Sequence, residues 1–229
     1  YPYVCTFPGH GTLMYGALYA GVPLPPLDQE PNLPSNIRQT LVPGGGRRPF
    51  VQRMFMPDAG PAAIAVALPR TQNFCWDAGE CRLRYAWQGA FIDPSKHWED
   101  DGSELAVVLN TRWWRSSPGT FPLRLGTAGA PAPRVKFLGY RLTAAGPEFH
   151  YHVGDTEVFE RIAPSRGQSG LELHFRIPSA RDPVFFLRSG DTSTQWQSSA
   201  GTWSDGILAL TPEQAAGFTL TLTSALSSP

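Results

Sequence analysis

The sequence predicts an all-β chain whose larger part is an antiparallel β-sandwich of jelly-roll type. Three observations carry that prediction. Glycine and proline, 23 of each among 229 residues, accompany abundant Thr, Val, Phe and Trp, a composition that favours short strands and turns over helices. From Phe50 onward, strand-like runs recur with turn clusters between them. In the second half, apolar residues alternate with polar ones at period two, so each strand buries one face and wets the other, which is how packed antiparallel sheets read.

Size and charge bound the rest. A chain that is 41% hydrophobic and 17% charged is long enough for one large β domain or two small ones. Its 19 basic and 19 acidic residues cancel, so no nucleic acid or anionic membrane is expected as a partner. The longest apolar run, Ala62 to Leu68, is too short to cross a bilayer, and no signal-peptide pattern opens the sequence, so a soluble chain, already processed or truncated, is expected.

Taken in order, residues 1–22 read as a strand, a loop and a second strand, "YGALYAG". The loop "YVCTFPGHGTLMYG" spaces Cys5, His10 and Met14 as a thiolate, an imidazole and a thioether, the donor types of blue-copper electron-transfer sites. Such a site takes a second histidine, which residues 1–22 do not contain. Residues 23–49 hold seven prolines and a glycine triplet and read as an extended connector between domains. Residues 50–229 are the sandwich.

Within it, Cys75 and Cys81 enclose "WDAGE", a turn between two strands. A loop over residues 76–80 sets the two cysteines face to face as a disulfide; a turn over 77–80 sends the sulfurs to opposite faces. The bridge is the expectation, because the chain reads as extracytoplasmic. In "CRLRYAW", alternation places Cys81, Leu83, Tyr85 and Trp87 on a single core-like face. Later strands are clearer: Phe149, Tyr151 and Val153 share a face, as do Leu171, Leu173, Phe175 and Ile177, and then Phe218, Leu220 and Leu222. "VKFLGYRL", "TEVFERI" and "PVFFLR" add strands. "TPEQAA" from Thr211 supplies an N-cap, Pro at the first helical position and a nearby Glu, hence one short helix.

The stretch "YPYVCTFPGHGTLMYGAL" resembles the last strand, ligand loop and closing strand of the cupredoxins, the azurin, auracyanin and plastocyanin family. The resemblance implies copper, with Cys5 as thiolate ligand, His10 as imidazole ligand and Met14 as weak axial ligand, provided that the rest of a cupredoxin is supplied. "FMPDAGPAAIAVALP" and "FCWDAGECRLRYAWQGAFID" are loosely similar to a β domain of secreted bacterial proteins that also carry cupredoxin or c-type cytochrome modules. That similarity implies a periplasmic or secreted location and partners such as c-type cytochromes or a membrane-bound electron-transfer complex.

Other candidates come from residue type alone. His150 and His152 share a strand face, with His174 as a third ligand of a second metal site, although alternation explains their positions without a metal. Trp98 with Asp100 and Asp101 suits stacking on a sugar and bonding its hydroxyls. No nucleophile elbow, zinc-protease or phosphate-loop motif is present in the sequence, so an enzyme is not expected. The reading is a non-catalytic accessory or docking subunit of an extracytoplasmic redox or photosynthetic assembly. The alternatives are a carbohydrate-binding module and a sugar-active lyase or hydrolase using His150 and His152.

Overall fold

The computed structural model describes residues 2–4, 15–17, 20–23, 49–94, 104–166, 170–190 and 194–224. It is almost entirely β, in several antiparallel sheets that form no closed barrel among the described residues. β1 (Pro2–Val4) and β2 (Tyr15–Ala17) pair antiparallel, Tyr3 opposite Gly16. The loop between them, with Cys5, His10 and Met14, lies outside the described residues, as does the 24–48 part of the proline-rich stretch.

β3 (Phe50–Arg53), β4 (Ala63–Ala67), β5 (Gln72–Asp77), β6 (Arg82–Gln88) and β9 (Arg112–Arg115) form a five-stranded sheet in that order. β7 (Ile92–Asp93) pairs with β8 (Val107–Val108). A four-stranded sheet runs β10 (Leu123–Leu125), β15 (Val184–Leu187), β18 (Ile207–Leu210), β17 (Thr202–Ser204). The six-stranded sheet runs β11 (Val135–Leu142), β12 (Pro147–Val153), β13 (Thr156–Pro164), β14 (Gly170–Arg176), β19 (Phe218–Ser224), β16 (Thr194–Ser198). The strands expected from period-two alternation are present, and their apolar faces are buried. Thr211 caps a single helical turn, α1 (Pro212–Ala215): its hydroxyl accepts from Gln214 N–H and Gln214 Oε1 accepts from its own N–H.

The six-stranded sheet gives its inner face to both smaller sheets. Trp76 of β5 lies flat on Phe149 of β12, ring centroids 4.0 Å apart, and also meets Phe137 and Tyr151. Phe186 of β15 packs on Phe175 and Trp196. These residues belong to one continuous core. The five-stranded sheet is buried on its other face as well. There Ala63, Ala65 and Ala67 leave room for Met54, Met56, Tyr85 and Trp87 beneath Phe91 and Ile92. Burial on both faces explains the unbroken apolar run of β4.

Two expectations for this sheet are corrected. The turn occupies Ala78–Cys81, with Asp77 opposite Arg82, and a register shift between Cys75 and Trp76 leaves Arg84 as an extra residue in β6. Beyond that bulge the alternation inverts, so Cys81 and Leu83 face the larger core while Tyr85 and Trp87 face the smaller one. Cys75 and Cys81 therefore sit in different cores as free thiols, and the expected disulfide is absent. Burial pushes both thiols up to about 12, which removes them as nucleophiles at neutral pH.

Two carboxyl groups are buried among the described residues: Asp77, which accepts from the backbone N–H groups of Gly60, Gly79 and Glu80, and Glu160, which lies in the larger core. Glu160, 3% exposed, stands between Val158 and Ile162 on the inward face of β13. Its Oε2 accepts from Trp76 Nε1–H and from Tyr151 O–H, each at 3.2 Å. Burial raises its pKa to about 7, against these two hydrogen bonds that lower it. Because the native state holds this proton more tightly than the unfolded chain, the contribution of Glu160 is most favourable below pH 4.5 and is lost as pH rises to about 7. Glu160→Gln keeps an acceptor for both donors and removes the titration. Relative to the variant, the wild type is expected to lose on the order of 3 kcal/mol across that window. Urea midpoints of both proteins at pH 4.5 and above pH 7 measure it; parallel pH profiles would contradict it.

Candidate arginine-lined docking site

β9 is an edge strand, hydrogen-bonded only to β6 among the described residues. Arg112 and Arg115 are three apart, so regular alternation would send them to opposite faces. In the register, Arg112 opposes Trp87 and Trp114 opposes Ala86, which leaves Trp113 as a bulge. The bulge turns both arginines to one side and both tryptophans to the other. Arg112 Nη1 and Arg115 Nη2 contact the same Asp58 oxygen at 2.5 and 3.2 Å, while Trp114 enters the larger core and Trp113 packs against it.

The bulge of β6 serves the same cluster. Arg84 donates from Nε and Nη2 to the Asp58 carbonyl at 3.0 and 2.6 Å and pairs through Nη1 with Glu80 at 2.6 Å. Asp58 itself has φ +55°, a left-handed conformation that a non-glycine residue adopts at a cost, and the three guanidiniums hold it there. The Arg112 hydrogen bond holds its carboxyl below the ordinary range. Arg112 also lies over the Tyr85 ring at 4.0 Å, a cation–π contact. Behind them, buried Arg82 pairs with Glu80 and donates to Ser116 Oγ and the carbonyls of Ser117 and Thr120, fixing the loop that leaves β9. Among the described residues, these four guanidiniums are paired with the two carboxylates of Asp58 and Glu80, on a chain with zero net charge.

Two open depressions border β9, both lined in part by Arg112 and Arg115. One, of about 580 Å³, is bordered by Pro57, Leu105, Val107, Arg112 and Arg115; Leu105 and Val107 are 47% and 45% exposed. The other, of about 420 Å³, is bordered by Trp113, Arg115, Ser117, Pro118 and Gly190. Inside the core, the cavity between Arg82, Trp114, Ser116, Glu160 and Trp196 measures about 20 Å³, room for about one water. Charged recognition at the surface is what this arrangement offers, through the guanidinium N–H donors of Arg112 and Arg115.

The histidines are placed elsewhere. His150 Nε2 is 2.8 Å from Glu157 Oε1, and its ring stacks on Phe159, whose other contact is the Arg176 guanidinium at 3.8 Å. His152 is its neighbour on the same face, rings 6.4 Å apart. His174 stands on β14, beyond β13, opposite Arg161 and bonded to Thr219 Oγ1; burial lowers its pKa. The three therefore do not converge, and no group of three or more His, Cys, Asp or Glu side chains among the described residues is placed to hold a metal ion. Trp98, Asp100 and Asp101 lie outside the described residues, and Trp76, Trp87 and Trp114 are interior. Arg84, Arg112, Arg115 and Asp58 were not singled out by the sequence reading, although "RLR" and "RWWR" carry a signal: cations inside otherwise apolar strands need partners or a surface.

No family model matches this chain, and no curated protein or solved structure is significantly similar to it.

Gly190 ties the second depression to β9. It has φ +102°, and a Cβ there would stand 2.5 Å from Trp114 Nε1 and 2.9 Å from the Arg115 carbonyl. Gly190→Ala is expected to cost about 1–3 kcal/mol, read as a lower urea midpoint at unchanged slope. Gly119→Ala, at φ +68° with open space around it, is expected to cost less. Equal losses would show that backbone strain alone, and not the contact with β9, sets the effect.

Proposed function

We propose that the chain is a non-catalytic docking module of an extracytoplasmic electron-transfer assembly. The observation that carries the docking half is the pair of depressions along the edge of β9 that has no strand partner among the described residues, with Arg112 and Arg115 beside exposed Leu105 and Val107. A charged rim around a small apolar centre is how weak, transient redox encounters are built: charge speeds encounter, and limited buried area keeps release fast. A carbohydrate platform would rest on Trp98, Asp100 and Asp101, which lie outside the described residues.

The electron-transfer half rests on the cupredoxin-like loop. Its donor set suits type 1 copper in kind, with Cys5, His10 and Met14 supplying thiolate, imidazole and thioether. The second imidazole has to come from outside residues 1–22. Copper, when bound, would exchange one electron with a partner such as a c-type cytochrome.

The full-length gene product, loaded with copper, is expected to show the intense visible band of a copper–thiolate centre. Cys5→Ser should abolish the band, because the thiolate is its donor, while Met14→Leu should keep it and shift the reduction potential. The double variant His150→Ala, His152→Ala should leave the band intact. Failure of the full-length product to bind copper would overturn the electron-transfer half, and bleaching by the histidine double variant would make the sandwich a contributor of copper ligands.

A further inference from the structure

We propose that the two depressions bordering β9 hold an extended, acidic segment of a protein partner; this inference rests on the docking reading above. Three features select that occupant. The sign comes from the lining: Arg112 and Arg115 border both depressions, and no Asp or Glu is among their described lining residues, so the site attracts carboxylates and repels basic segments. Each guanidinium has five N–H donors. Asp58 takes one contact from Arg112 and one from Arg115, and Arg115 is 58% exposed in its side chain, so donors remain for a second carboxylate.

The extended form comes from the placement of the depressions. They share Arg112 and Arg115 and differ in the rest of their lining, along a strand whose outer edge has no strand partner among the described residues. An extended segment lying along that edge sends successive side chains to alternate sides, one set toward Leu105, Val107 and Arg112, the other toward Trp113 and Ser117. The bulge at Trp113 interrupts the regular ladder, so main-chain bonds are few and the side chains carry the selectivity. The apolar requirement comes from Leu105 and Val107, which a partner's aliphatic side chains would remove from water.

A random-peptide display library panned against the whole chain tests this without a known partner. Enriched peptides are expected to be acidic, with carboxylates interspersed among aliphatic residues. Labelled copies of the best peptide should bind more weakly as salt rises. Arg115→Glu and, separately, Leu105→Ser should each weaken it roughly tenfold, and NMR shifts on binding should concentrate in residues 104–118. Both positions are exposed, and circular dichroism of each variant checks that the fold is retained. Peptides without acidic bias that still perturb residues 104–118 would overturn the acidic specificity and leave the docking reading standing. Peptides that bind elsewhere, or no enrichment at all, would overturn both.

Discussion

The contact on which the rest of this structure depends is Trp76 lying flat against Phe149, 4.0 Å apart and within 2° of parallel. It joins the five-stranded sheet to the six-stranded one. An indole buried this deeply must also place its N–H, and the acceptor is Glu160, which takes Tyr151 O–H at the same oxygen. One carboxyl thus satisfies two buried donors from both layers. The arrangement fixes relative position as well as stability, because an indole shifted along the sheet would leave its N–H unpaired in an apolar core and Glu160 with Tyr151 O–H alone.

From that fixed layer the surface site follows by two irregularities. Trp76 opposes Leu83, and the extra residue at Arg84 then turns Tyr85 and Trp87 to the opposite face. There Tyr85 supplies the ring beneath Arg112. A second extra residue, Trp113, lets Arg112 and Arg115 share Asp58 while Trp114 reaches across to Trp196 of the six-stranded sheet. Each bulge disposes of a residue that regular pleating would misplace: a cation that would enter a core, or an indole that would face water. Bulges next to functional edges do this in many sheets. Asp58, held in a left-handed turn by three guanidiniums, is the local strain that the arrangement sustains.

How much of this was legible depends on regularity. β12, β14 and β19 follow strict alternation, and the faces that alternation assigns them are the buried ones because nothing interrupts the period. α1 was legible from Thr211, Pro212 and Glu213, although the residue that closes its capping box is Gln214. "CRLRYAW" misled because a bulge is invisible to a period-two count, and the same bulged hairpin separates Cys75 from Cys81. Glu160 was in plain sight: in "TEVFERI" it occupies the inward position between Val158 and Ile162, and a carboxylate on an apolar face asks for donors. Those donors lie on β5 and β12, far away in sequence, which is why pattern alone did not connect them. The arginine cluster was hidden for the same reason, since Asp58, Glu80, Arg84 and Arg112 meet only once β6 and β9 are paired.

If the Trp76–Phe149 contact makes one core of two sheets, their backbone amides should open together. Native-state hydrogen exchange of the Trp76 and Phe149 amides, both in hydrogen-bonded strands, measures this most directly. The account predicts that both exchange through the same global opening, with equal free energies that fall together when Trp76→Phe removes the bond to Glu160. Separate opening energies, with β5 exchanging while β12 stays protected, would show two independently stable layers and contradict it.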